Sequence, residues 1–425
     1  MLKIKPRKFL DNFIWVVYIF YLFTILAFGE RAEYNKYSNI TFVVMCALMI
    51  FSIIIRRRKL IAHKIDFALV PFGIFAIISI LWSYCPDVTT TRAVTVARLL
   101  IMGIILAMYI CDVNAVRKYL YGIVIAGFLF IGYLVSFYGL SQIKTLVESS
   151  KRIGGAILNE NSLGMFMAIS AIIMLFLFMQ NKNLIWAIGV ALLVVFAVIT
   201  GSRKAILDIA VGFILTIVMS IFDENKKNNT RWIRVILGLL VFVCAAYILW
   251  QLPVFDTMRE RVEGMFTVLS TGSSKAEYSA YSRSQMILYG LRQFCKTPIL
   301  GIGIGASGYI TKLFDGTDTY LHCNYAELLA TGGLIGTLLY YIPFLTLIRS
   351  CWKSRKYSFE SRILIVLLII AFVNDIAAVQ YFSKLTYVLF GICASNYSIQ
   401  KDVELRKAKS SINKREIFLK YETVR

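Results

Sequence analysis

Charge is scarce in this sequence. Of its 425 residues only 16% are charged, whereas 59% are hydrophobic. A soluble domain is about half apolar and about a quarter charged. Acid is scarcer still: 24 Asp and Glu stand against 46 Lys and Arg, for a formal net charge of +22. Histidine is nearly absent, with His63 and His322 alone. The eight cysteines are scattered and form neither a Cys-x-x-Cys nor a zinc spacing. No internal repeat is visible. A cleavable signal is not expected either: the first apolar run is long, follows Lys3, Lys5, Arg7 and Lys8, and has no small-residue cleavage site. These absences exclude an ordinary soluble domain and a cysteine-built metal centre.

What fills the chain instead is apolar sequence, with a mean hydropathy of +0.71. A backbone in lipid must satisfy its own hydrogen bonds, so apolar runs of about 20 residues are helices crossing about 30 Å of hydrocarbon. The expected fold is an all-α polytopic membrane protein of about twelve transmembrane helices. The expected spans are 10–28, 38–55, 66–84, 94–111, 118–138, 161–180, 184–200, 205–222, 233–250, 323–348, 362–379 and 382–399. This divides the chain into an N-terminal transmembrane region (1–250, about nine spans), a large extracytoplasmic loop (251–322), a C-terminal transmembrane region (323–400, about three spans) and a cytoplasmic basic tail (401–425).

The positive charge has a bland explanation in that layout. With the N-terminus inside, Arg56-Arg57-Arg58-Lys59, Arg117-Lys118, Lys226-Lys227, Arg349 through Lys356 and the tail after Lys401 all fall in inner segments. They set orientation and meet anionic membrane lipids, so no nucleic-acid partner is implied. Segments 85–93, 139–160, 201–204, 251–322 and the turn at Asn374-Asp375 then face outward. Cys85, Cys295 and Cys323 are among the outward residues, and unpaired thiols are the expectation for them.

Basic residues that face outward need a separate account. Thr200-Gly201-Ser202-Arg203-Lys204-Ala205 puts two cations between two apolar runs. They are either a pair snorkelling to the headgroups or an anion site, at which a phosphate or diphosphate would also meet the N-terminus of a helix starting near Ala205. The stretch from Lys151 to Gly164 contributes Arg152, two glycines that permit close backbone approach, and Asn161 or Ser162 as a helix cap. The long loop carries Arg259, Arg261, Arg283 and Arg292. A helical stretch around Ser282–Phe294 presents Met286, Ile287 and Leu291 as a packing stripe, with Arg283 near its start. Pro298 through Gly305 reads as a turn. Its Gly-x-Gly-x-Gly lacks the strand–turn–helix context of a nucleotide fingerprint. His322 ends the loop, with Asp315, Asp318 and Glu327 near it in sequence. A lone histidine there is either interfacial structure or a general base working near neutral pH.

Taken together, these pieces resemble the O-antigen ligase and polymerase superfamily. The matching stretches are Leu81-Trp82-Ser83-Tyr84-Cys85-Pro86-Asp87 before Arg92, Gly154 through Gly164, Thr200 through Lys204, Ser282-Arg283 followed by Pro298 through Gly303, and His322 through Gly336. Their order, side and spacing carry the likeness, which covers most of the chain from the third span onward. Cys323 departs from it, since the family often has a small polar residue directly after the histidine. The resemblance implies a GT-C-like membrane glycosyltransferase with a polyprenyl-diphosphate-linked oligosaccharide as substrate and no obligatory metal or other cofactor. It implies a place in the bacterial cytoplasmic membrane with the active site on the outer face. Carried over by position, Arg203 and Arg283 would hold the diphosphate and His322 would act on the acceptor hydroxyl. Arg152, Lys204, Asn161, Arg259 and Arg261 are the further candidates for substrate binding. A flippase and a chain-length regulator of the same pathway are plausible partners.

Within the superfamily the expectation is a polymerase, because the Lys/Asn/Ile-rich composition suggests an AT-rich genome, and many such bacteria have no outer membrane to receive a ligase product. The alternative is a ligase that moves the glycan to lipid A core or another acceptor. Outside it, a transporter would be expected to show internal repeats and ionisable residues near midplane, and a scaffold subunit would make His322 and the outer arginines dispensable.

Overall fold

The computed structural model describes residues 6–29, 31, 33–55, 63–149, 151–222, 233, 236–240, 243, 247, 250–251, 255–271 and 278–422. Helices dominate, and no strand occurs among the described residues. In chain order they are α1 (Pro6–Phe28), α2 (Asn35–Ile55), α3 (Val70–Ile78), α4 (Pro86–Tyr109), α5 (Val113–Tyr138), α6 (Leu140–Glu148), α7 (Glu160–Asn181), α8 (Leu184–Ile199) and α9 (Arg203–Met219). They continue as α10 (Asp256–Thr271), α11 (Tyr278–Lys296), α12 (Ser307–Asp315), α13 (Asn324–Ser354), α14 (Phe359–Asn374) and α15 (Lys384–Glu422).

Eight segments among the described residues are long and apolar enough to cross a membrane: 8–28, 35–55, 64–82, 86–109, 113–138, 160–181, 203–222 and 324–354. The expected span 184–200 is the shorter apolar helix α8. Half of the expected span 233–250 lies outside the described residues. The third span is not one α-helix. Short 3₁₀ turns at Lys64–Phe67 and Ser79–Trp82 flank α3, whose first turn holds Pro71. The eleventh stops at Asn374, short of 379, and the twelfth continues into the basic tail as one helix.

Polar ties at the two ends hold the bundle in register. At one end Arg117 pairs with the buried Glu360 (2.6 Å), Lys118 Nζ donates to Asn12 (2.7 Å), Ser398 donates to Asp66 (3.0 Å) and Asn396 donates to Ser361 (3.1 Å). At the other end Arg31 donates to the Ala156 carbonyl and Lys384 to Ser38, both at 2.7 Å. Between them runs a continuous apolar core contributed by most of the helices. The C-terminus of α8, the N-termini of α7, α9 and α13 and the C-terminus of α14 all meet at the Ala156 end.

The large connection 251–322 is mainly helical. Among the described residues it consists of α10, α11 and α12, with the glycine-rich stretch 297–306 between α11 and α12 and residues 316–323 leading from α12 into α13. The expected helix at Ser282–Phe294 is the middle of α11. Met286 of its stripe is buried in a small apolar cluster with Ile302, Ile310, Leu321 and Ala326, while Leu291 stays exposed. The seven described cysteines are free thiols.

Candidate functional site

The site begins at the turn between α8 and α9. Ser202 caps α9 by accepting from the Ala205 amide (3.4 Å). Arg203 and Lys204 therefore form the first turn of α9, slightly ahead of the expected start near Ala205. The turn is crowded from behind. A Cβ on Gly164 of α7 would meet Thr200 Oγ1 at 2.6 Å and Ala205 Cβ at 2.9 Å, so only glycine lets α7 approach this closely.

Arg152 ties the preceding loop onto the same turn. Its Nε donates to the Thr200 carbonyl (2.8 Å), its Nη2 donates to Asn161 Oδ1 (3.2 Å), and its Nη1 pairs with Glu160 at 3.4 Å. Burial pushes its pKa down, as does neighbouring Arg203, while Glu160 opposes them. Asn161 is not the cap of α7. Asn159 performs that task by accepting from the Asn161 amide (3.0 Å), which leaves the Asn161 side chain to receive Arg152.

His322 is mounted just ahead of α13. It is one of two described non-glycine residues with positive φ, at +57°, a left-handed conformation that L-residues avoid. Its neighbours hold it there. The Leu321 amide donates to Glu327 Oε2 (3.1 Å), and Ser307 Oγ donates to Glu327 Oε1 (2.7 Å). On the other side the Asn324 amide donates to the Asp375 carbonyl (2.7 Å), and Asn324 Nδ2 donates to Asp375 Oδ2 (3.1 Å). The Tyr320 ring lies 4.2 Å from the imidazole, centroid to centroid.

The glycine-rich turn Pro298–Gly305 supports this mount. The amides of Ile302 and Gly303 donate to the Ala330 and Thr331 carbonyls of α13 (3.2 and 2.9 Å), and the Ile302 carbonyl accepts from Tyr84 (3.0 Å). The backbones touch here. Gly333, at φ +59°, interrupts α13, and a Cβ on it would lie 2.4 Å from Ile299. A Cβ on Gly303 would strike Ser83 at 2.5 Å. The Leu81–Asp87, Pro298–Gly305 and His322–Gly336 stretches thus form one packed unit, and the turn binds protein backbone.

These two halves face each other. Lys204 lies within electrostatic range of Arg283, Asp208 and Arg203, and His322 within range of Arg283 and Lys204. Burial, followed by the Arg283 and Lys204 charges, pushes the His322 pKa down to about 4. Its resting form at neutral pH is the free base. The arrangement therefore offers a proton acceptor beside a group of cations suited to a polyanion.

Of the predicted site residues, His322, Arg203, Arg283, Lys204, Arg152 and Asn161 come together. Arg259 does not join them through any described contact: on α10, it is occupied by the Trp250 carbonyl (2.6 Å) and by an ion pair with Asp256. Arg261 is on α10 as well, but its side chain lies outside the described residues. Sequence reasoning missed Asn324 and buried Asp208 as residues that hold the site, and placed the Asn374-Asp375 turn on the outer side without giving it a role.

Residues 188–341 match the family model described as O-Antigen ligase. The match takes in α8, α9, the large connection, His322 and the first half of α13. It bears out the resemblance to the O-antigen ligase and polymerase superfamily and implies a glycosyltransferase-like enzyme. No curated protein matches the chain.

Proposed function

We propose that this chain is a polymerase of bacterial surface polysaccharide (O-antigen, capsule or exopolysaccharide): the family match over residues 188–341 supports a polymerase or a ligase, and the Lys/Asn/Ile-rich composition favours the polymerase. It moves a glycan from a polyprenyl-diphosphate carrier to a lipid-linked repeat unit on the outer face of the cytoplasmic membrane. The observation that carries this reading is the placement of His322, half-buried in a left-handed backbone conformation and within electrostatic range of Arg283 and Lys204. A base and a group of cations are the two things such a transfer requires.

The chemistry balances with these residues alone. An acceptor hydroxyl oxygen forms a bond to the anomeric carbon of the carrier-linked sugar, while the bond from that carbon to the diphosphate oxygen breaks. The hydroxyl proton passes to His322, and the polyprenyl diphosphate leaves with the bonding electrons. Arg203, Arg283 and Lys204 neutralise the charge that develops on it, and preorganised cations do this without reorganisation during the reaction. Arg152 and Asn161 brace the turn that presents Arg203. The lipid tail stays in the bilayer as the glycan reacts at its edge.

A ligase is the second reading, favoured because the matched family is that of the O-antigen ligases. The deciding experiment uses purified protein, a synthetic polyprenyl-diphosphate repeat unit and a gel that resolves glycan length. A ladder lost in His322→Ala and Arg203→Ala supports the polymerase. Transfer only after lipid A core is added makes the chain a ligase. No transfer with either acceptor, together with movement of the carrier across a vesicle membrane, refutes the enzyme. Arg203→Lys should also transfer poorly, because an ammonium cannot hold two phosphate oxygens as a guanidinium does.

A further inference from the structure

Three buried polar residues have no part in the chemistry above. Asp208 lies one turn below Lys204 on α9 and is 1% exposed; Asn374 and Asp375 end α14 and are each 4% exposed. Carboxylates this deep in an apolar bundle are costly and rarely idle. Asn374 Nδ2 donates to Asp208 Oδ2 at 2.9 Å, which fastens α14 to the helix that begins with Arg203 and Lys204. The next residue fastens the same helix end to the other half of the site. Asp375 receives Asn324 twice, through its carbonyl (2.7 Å) and its carboxylate (3.1 Å), and Tyr341 donates to that carboxylate at 2.7 Å. Asn324 lies two residues after His322. Its own Oδ1 accepts from the amides of Gln380 and Tyr381 (2.9 and 3.1 Å), so it cannot drift without breaking further bonds.

We infer that Asn374-Asp375 is a strut that sets the spacing between the cationic start of α9 and His322, with Asp208 and Asn374 as its positioning residues. The inference rests on the glycosyl-transfer reading. The in-line displacement needs the leaving diphosphate and the attacking hydroxyl held at a fixed separation, and misplacing reacting groups by about 1 Å costs about a hundredfold in rate. Tyr325 also donates to the Phe372 carbonyl of α14 (2.9 Å), so the segment after the histidine is tied to this helix end by more than one residue, and Asn374 carries the tie on to α9. Asp208 and Asn374 act through the elements they hold, α9 and the end of α14.

The test exchanges the two partners. Asn374→Asp sets two carboxylates against each other, whereas Asp208→Asn combined with Asn374→Asp restores one amide facing one carboxylate, in reverse. Transfer is measured with the polyprenyl-diphosphate repeat unit as glycan donor, giving kcat and KM for that donor, and thermal unfolding is followed alongside. Asn374→Asp should lower kcat about tenfold or more and leave the donor KM within about threefold. The exchanged pair should recover kcat to within about threefold of the parent. Should Asn374→Asp not fold, Asn374→Ala, which removes the amide without adding charge, should show the same loss in kcat. Unchanged kcat in the single variant, a loss confined to KM, or an exchanged pair that folds yet stays as slow as Asn374→Asp would each overturn the strut. Failure of the parent protein to transfer glycan at all would instead refute the functional reading and the strut with it.

Discussion

Glu327 offers the sharpest test of how His322 is held. It is 1% exposed and accepts two hydrogen bonds, from Ser307 Oγ and from the Leu321 amide. Hydrogen bonds to a charged partner contribute about 1.5–3 kcal/mol each, and an abandoned buried amide costs a further desolvation penalty. In Glu327→Ala the Ser307 hydroxyl can rotate toward another acceptor, but the Leu321 amide, in a fully buried residue, cannot. A loss of about 3–5 kcal/mol in the mount is expected. That exceeds the roughly 1–2 kcal/mol needed to keep His322 left-handed, so the residue should relax and carry the imidazole away. About 3 kcal/mol of lost positioning corresponds to a rate loss of about 150-fold. Glu327→Gln is the control. Its carbonyl oxygen still accepts from Leu321 and its amide can donate to Ser307, so transfer should stay within about tenfold of the parent. The assay is glycan transfer by inserted, purified protein, with unfolding temperature as the check on folding. Equal losses in both variants would show that the carboxylate charge matters and the mount does not. Full activity in Glu327→Ala would refute the reasoning outright.

Two further outcomes follow from the same structure. His322 has a native pKa near 4 against 6.5 unfolded, so its neutral form favours the fold. That contribution is complete above about pH 6.5 and is lost as pH falls through 4; it amounts to about 3 kcal/mol at most, before solvent screening reduces it. Thermal midpoints between pH 7 and 4 should fall less steeply in His322→Gln than in the parent, and parallel curves would contradict the shift. Gly333→Ala should destabilise by about 2–4 kcal/mol, because it combines φ +59° with a Cβ 2.4 Å from the Ile299 backbone. Unchanged unfolding in that variant would mean that the Pro298–Gly305 turn is not clamped as described.

Much of this molecule could be read from its sequence because lipid allows so few solutions. Apolar runs had to be helices, and charges at their edges, such as Arg203, Lys204 and His322, stood out against an apolar background. Arg259, an outward cation of the long loop, stood beside them as a candidate. What separates it is a local partner, Asp256 three residues earlier, which was visible in the sequence and signals a self-contained pair. The supporting residues were not legible for a different reason. Asp208 meets Asn374 across 166 residues and Asn324 meets Asp375 across 51, and no periodicity reports such pairings. An acid inside an apolar run is itself a signal, and Asp208 could have been singled out on that ground. The Gly-x-Gly-x-Gly stretch was legible as a turn, but its partner, the backbone of α13 around Gly333, belongs to an interior break that an apolar run conceals.

The neighbours of His322 imply an order of events. In the free protein Arg283 and Lys204 add to burial in holding the imidazole a weak base. A base that weak takes a proton poorly from an acceptor hydroxyl. Under the proposed function, the arriving diphosphate places at least two negative charges among those same cations. It cancels their repulsion of an imidazolium, and the basicity of His322 rises toward its ordinary value. The base would therefore be strengthened by the glycan donor it serves, and unproductive proton uptake avoided while the site is empty. The consequence is measurable as two different acid limbs. The profile of kcat/KM for the donor reports the free protein and should bend near pH 4, whereas kcat reports the occupied site and should bend at a higher pH. Coincident limbs would mean that the diphosphate binds away from Arg283 and Lys204, and that the cations near His322 serve another anion.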